Sequence, residues 1–142
     1  MPDYALSLKQ PWATLLVHGH KSVEVRNWPT ARRGRILIHA ARVSDPRPEA
    51  WKLVPPELKE AAEQLGGLIG AADLTGCVAY RSLKDFVAAQ HLHMNEPDWF
   101  KPPVLYGFVF ANLQVTPFRR CKGWMRFFPI PQEVFEDAEA TQ

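Results

Sequence analysis

Along the first forty residues the apolar positions change period three times. Tyr4 to Leu8 alternates as a strand does, and Pro11 then stands where a helix tolerates proline best, at its first position. Trp12, Leu15 and Leu16 follow at the i, i+3, i+4 spacing of one buried helical stripe, which Gly19 ends. Ser22 to Arg26 returns to alternation, with Val23 and Val25 on one face and Ser22, Glu24 and Arg26 on the other. Arg35 to Ala40 is predicted as an apolar strand inside a sheet. Residues 44–56 are proline-rich and predict a loop pinned by Trp51, followed by a helical stretch from Pro56 to Gly66 carrying Leu58 and Leu65.

The second half reads as strands around one more helix. Leu68 to Tyr80 is the longest candidate strand, and Ser82 is placed to cap a helix over Leu83 to Gln90. Tyr106 to Leu113 alternates again, and Trp124 to Phe128 is a last short strand before Pro129 and Pro131. The tail after Pro131 is acidic and is expected to be partly frayed. Five to six short strands with two to three flanking helices, not arranged as alternating βαβ units, predict an α+β fold built on a small mixed β-barrel. The chain of 142 residues divides into one domain, 1–131, and the acidic C-terminal tail, 132–142.

Composition changes this picture little: 46% hydrophobic and 23% charged residues are ordinary for a globular chain. A net charge of +2 does not by itself imply nucleic acid, but its distribution does more. Arg32, Arg33 and Arg35 form one basic cluster and Arg119, Arg120, Lys122 and Arg126 another, which would attract phosphate if they shared a face. Cys77 and Cys121 lack metal-site spacing and read as reduced thiols. No basic leader and no run of 18 apolar residues is present, so a cytoplasmic location without membrane contact is expected. His91, His93 and Asp98 do not amount to a metal site, and no cofactor is expected.

Lys21 and Glu24 are spaced as either a charged structural pair or an acid–base couple. Lys21 has the opposite strand parity to Glu24 and Arg26, but it follows the Gly19-His20 turn, where alternation need not hold, so all three can reach one cleft.

The run Leu6-Ser7-Leu8-Lys9-Gln10-Pro11-Trp12-Ala13 followed by Gly19-His20-Lys21-Ser22-Val23-Glu24-Val25-Arg26 resembles the ASCH domain, the module named for activating signal cointegrator homology. Its GxKxxExR pattern is filled by Gly19, Lys21, Glu24 and Arg26. The flanking Trp28, Thr30, Arg33-Gly34-Arg35-Ile36 and His39-Ala40-Ala41, then Ile69 to Val78, Tyr106 to Phe110 and Cys121-Lys122-Gly123-Trp124, resemble the family's later strands. The resemblance implies a PUA-like barrel whose motif lines a cleft for RNA, DNA or a modified nucleoside, with Gln10, Pro11, Trp12, Gly19 and Arg26 at the ligand.

Around that cleft, Trp28 and Trp124 are candidates to stack on a base, Arg26, Arg32, Arg33 and Arg120 to neutralise phosphate, and His39 to face the ligand or to lie hydrogen-bonded in the core. One branch of the family resembles an amidohydrolase of acylated cytidines. There the position of Glu24 is similar to one held by a catalytic threonine, the lysine matches Lys21, and Glu96 is the candidate for a downstream acid. The alternatives to binding are therefore metal-independent hydrolysis of an N-acylated cytidine with Lys21, Glu24 and Glu96 as catalytic residues, ribonuclease activity, or a protein-interaction module.

Overall fold

A computed structural model describes residues 3–140. Six strands form one mixed sheet: β1 (Tyr4–Leu8), β2 (Val23–Arg26), β3 (Gly34–Ala40), β4 (Gly67–Tyr80), β5 (Leu105–Arg120) and β6 (Phe127–Pro129). Their order is β2-β5-β4-β3-β1-β6. Only β1 and β3 run parallel, with Ala5 opposite Leu37 and Leu8 opposite Ala40; the other pairs are antiparallel. Five short helices accompany them: α1 (Trp12–Val17), α2 (Pro48–Trp51), α3 (Leu83–Ala88), α4 (Gln90–His93) and α5 (Gln132–Ala140).

The α+β class stands, but the sheet does not close into the expected barrel, because β2 and β6 at its edges are not hydrogen-bonded to each other. It curls strongly instead. In a flat sheet β5 and β6 would lie four strand spacings apart, roughly 19 Å. Here Phe108 of β5 stacks on Phe127 of β6 with ring centroids 6.0 Å apart. The β4–β5 ladder shifts register between Leu68 and Gly70, between Ala71 and Asp73, and again between Leu74 and Gly76, and the β3–β4 ladder between Ile38 and His39. Such irregularities sharpen local twist and turn corners.

The curled sheet wraps α1. All six residues of this helix are buried, not the single stripe that its periodicity predicts. A helix buried all round belongs inside a core: Ala13, Leu16 and Val17 join Leu6, Ile38 and Phe108 in the main cluster, while Trp12 and Leu15 face Ala50.

Several predicted boundaries shift for identifiable reasons. The stretch after Pro56 makes two 3-10 turns, Pro56–Leu58 and Ala61–Glu63, where the buried Gln10 amide donates to the carbonyls of Ala61 and Gln64. Within the proline-rich loop, α2 forms one turn, and Trp51 pins it by donating to the Asp45 carbonyl at 2.6 Å. The helix after Ser82 ends at Ala88, with the Ser82 hydroxyl accepting from the Asp85 amide as a cap should. β5 runs on to Arg120 and accommodates Pro117 because β2 covers only Tyr106 to Val109, leaving the far half of β5 paired on one side. Trp124 lies before β6 rather than in it. The acidic segment after Pro131 is helical as far as Ala140, and Val134 and Phe135 pack on the cluster holding Leu37, Phe128 and Ile130.

Candidate functional site

Gly19 leaves α1 with φ +83, and the amides of His20 and Lys21 then both donate to the Leu15 carbonyl at 2.9 and 3.1 Å. This tight reversal aims Lys21 back along α1 and supplies the reason for the glycine, since a Cβ at positive φ is strained. β2 begins only at Val23, so Lys21 escapes strand parity as expected. Its ammonium lies 4.4 Å from the Trp12 ring centroid and donates to Glu24 Oε1 at 3.0 Å. Arg26, two residues along the same face of β2, donates through Nη2 to Glu24 Oε2 at 3.1 Å and to the Ser7 carbonyl at 2.8 Å. One carboxylate is thus clamped between two cations.

Burial makes this clamp unusual. Lys21 is 1% exposed and Glu24 9%. Burial pulls the Lys21 ammonium below its ordinary value, with Glu24 opposing that shift and Arg26 adding to it. Burial alone would raise Glu24, but Lys21 and Arg26 outweigh it and hold the carboxyl below its ordinary value.

Glu24 and Arg26 line a cleft of about 690 Å³ together with Trp12, Lys9, Arg47 and Trp99. Lys21 is not on its surface; it supports Glu24 from beneath. The far wall is Asp45, which accepts from Trp12 Nε1 at 2.9 Å, from the Arg47 amide at 2.9 Å and from Arg47 Nη1 at 3.1 Å. Burial would raise the Asp45 carboxyl, but the Trp12 and Arg47 contacts bring it down. Trp99 meets Trp12 edge-on at 5.7 Å and carries the Arg47 guanidinium 4.3 Å from its own centroid. Lys9, Asp45, Arg47 and Trp99 had not been singled out in the sequence. An acid next to an arginine inside a proline-rich loop, Asp45-Pro46-Arg47, was the one available signal.

The remaining candidates separate. Gln10 is fully buried, with its carbonyl accepting from the Thr14 amide at 3.0 Å; with Pro11 it shapes the entry to α1 and does not line the Glu24 cleft. Trp28 packs edge-on against Phe108 and Phe127 at 4.9 and 5.6 Å and does not line the Glu24 cleft. Arg33 is exposed and donates to the carbonyls of Thr30 and Arg32, and Arg32 lies over Tyr4; this basic cluster does not line the Glu24 cleft. Glu96 is exposed at the start of the 3-10 turn Pro97–Trp99 and does not join Lys21 and Glu24.

His39, Arg120 and Trp124 instead line a neighbouring cleft of about 830 Å³. His39 is buried, shares a 2.9 Å hydrogen bond with Ser7 Oγ through Nδ1 and reaches the Cys121 carbonyl at 2.7 Å through Nε2. Among the described residues no three His, Cys, Asp or Glu side chains converge as metal ligands; both ring nitrogens of His93 are engaged, with the Phe86 carbonyl and the Asn95 amide.

The human and mouse proteins named activating signal cointegrator 1 are 36% and 35% identical over 91 residues, 58% of this chain. The match covers 16% of the length of each of those proteins. The crystal structure of the ASCH protein from Zymomonas mobilis superposes with a TM-score of 0.66 at 16% identity, over 98% of this chain and 94% of that one. A single-residue variant of the same protein gives 0.66 over 99% and 98%. The fold is therefore shared at low sequence identity. The ASCH domain model matches residues 6–117, which spans α1, the Lys21–Glu24–Arg26 clamp and most of the β4–β5 ladder, and the chain accordingly belongs to the ASCH domain family.

Proposed function

We propose that the Glu24–Arg26 cleft binds a nucleobase, presented by RNA, DNA or a modified nucleoside. The observation that carries this reading is the clamp itself. Glu24 is held ionised and fixed in place by Lys21 and Arg26, and it borders a cleft walled by Trp12 and Trp99. A fixed carboxylate accepts from an exocyclic amine such as that of cytosine, a neighbouring guanidinium donates to ring or carbonyl acceptors, and aromatic walls exclude water from both. Lys9 and Arg47 at the rim supply charge for phosphate. The volume suits one nucleotide-sized ligand.

Titration of a fluorescently labelled single-stranded octanucleotide tests this. Binding that weakens as salt rises, and that drops at least tenfold in Glu24→Gln with its circular dichroism unchanged, is expected. Equal affinity in wild type and Glu24→Gln would falsify the reading.

A second reading rests on Lys21. A buried lysine with a lowered pKa against a carboxylate is the arrangement of a tuned acid–base couple, and it supports metal-independent cleavage of an N-acyl cytidine with Glu24 as the carboxylate partner. Ultraviolet assay of acylated cytidines checks it: turnover lost in Lys21→Ala sustains hydrolysis, and no turnover at high enzyme concentration removes it.

A further inference from the structure

The two clefts share a wall. Ser7, Lys9 and Ala41 line both. Ser7 divides them and is tied to each side: its carbonyl accepts from Arg26 in the first cleft, and its hydroxyl meets His39 Nδ1 in the second. The charge of the second cleft is one-sided. Lys9, Arg42, Arg120 and Lys122 line it, and no acidic residue does, whereas the first cleft has Glu24 and Asp45 among its cations. Its outer part is apolar and open, with Trp124 59%, Met125 87% and Val43 63% exposed. Lys122 sits 4.5 Å from the Trp124 ring centroid, so an ammonium and an indole are presented together.

A purely cationic cleft with an exposed indole suits a ligand that is both anionic and planar. A free nucleoside would fill the first cleft and leave this one unused. We infer that the two clefts form one continuous track for a single-stranded nucleic acid. The nucleotide next to the one read by Glu24 and Arg26 places its phosphate among Arg42, Arg120 and Lys122 and its base against Trp124. Stacking on an aromatic ring accepts any base, and cations follow the backbone without reading sequence, so this subsite adds affinity without selectivity. His39 serves as its floor rather than as a contact for the strand, because both ring nitrogens are already engaged. Gly123 is needed above it: a Cβ there would stand 2.6 Å from His39 Cε1. The inference rests on the first cleft being a base site.

The test is calorimetric or anisotropy titration of the full chain with a mononucleotide and with tetranucleotides of ribose and deoxyribose type, for wild type, Trp124→Ala, Lys122→Ala and Glu24→Gln. Trp124 and Lys122 are exposed, so their removal spares the core. The expected result has four parts. Both tetranucleotides bind more tightly than the mononucleotide. Trp124→Ala shrinks that advantage at least fivefold. Lys122→Ala lowers the slope of log affinity against log salt by about 0.7. Glu24→Gln weakens every ligand. Tetranucleotide binding that needs Glu24 but is unaffected at Trp124 and Lys122 overturns the track while leaving the base site standing. Loss of all binding in wild type overturns both. Displacement of the tetranucleotide by an acidic peptide as readily as by unlabelled strand overturns the assignment to nucleic acid.

Discussion

Lys21 shows how much one side chain can be asked to do. Its ammonium is buried and its direct carboxylate partner is Glu24, so removing it leaves a buried anion with Arg26 alone. Lys21→Met should cost about 3 kcal/mol of unfolding free energy by urea titration, the lower end for breaking a buried pair. Replacing both partners, Lys21→Met with Glu24→Leu, removes the orphaned charge as well. It should recover most of that loss while abolishing ligand binding, which separates the clamp's structural role from its functional one. The pH dependence follows from direction. Glu24's folded pKa lies below its unfolded value near 4.5, so its contribution is fully present above pH 4.5 and is lost as pH falls through the folded value. Urea midpoints of wild type should therefore drop more steeply below pH 4.5 than those of Glu24→Gln; parallel curves would show that Glu24 does not carry this dependence.

At the scale of elements, the β4–β5 ladder and α1 set where the site lies. Gly70 sits where β4 passes beneath α1, and a Cβ there would stand 2.5 Å from both the Gln114 carbonyl oxygen and Val17 Cγ1. Gly76 lies on the same strand, with its nearest neighbours 3.8 Å away on Val109. Gly70→Ala should lose about 2 kcal/mol, the cost of overpacking against backbone, while Gly76→Ala should stay within about 0.5 kcal/mol of wild type. Chemical denaturation of the two variants checks this, and equal stabilities would mean that α1 rides on β4 more loosely than the contacts require. The consequence reaches the site, because α1 carries Trp12 and its exit turn carries Lys21.

For the whole molecule, the question is what the ASCH unit includes. The family match stops at residue 117, yet Arg120, Cys121, Lys122 and Trp124 build the second cleft, and β6 completes the sheet. Beyond Pro131, α5 contributes the half-buried Val134 and Phe135. A chain ending at Pro131 should still fold and bind, with stability reduced by about 2 kcal/mol, less than the full burial of two such side chains would predict. Thermal melts of the two lengths test this, and a truncated chain that does not fold would make α5 part of the domain. No helix among the described residues is long and apolar enough to cross a membrane.

The sequence by itself determined the strand and helix positions near the N-terminus, the Gly19 turn, and the family, because period, turn chemistry and the GxKxxExR spacing are local quantities. It also brought Lys21, Glu24 and Arg26 together in advance, since six consecutive positions after a tight turn cannot stray far apart. Only the tertiary structure decided what each tryptophan and arginine does. Trp28 and Trp124 both stand beside basic residues in sequence, but the curl of the sheet puts Phe108 and Phe127 against one and nothing over most of the other. The same curl separates Arg33 from Arg120 and turns one expected cleft into two that meet at Ser7. Sheet curvature arises from register shifts spread along β3, β4 and β5, in pairings between residues up to 53 positions apart, and no local pattern in any of these strands records them.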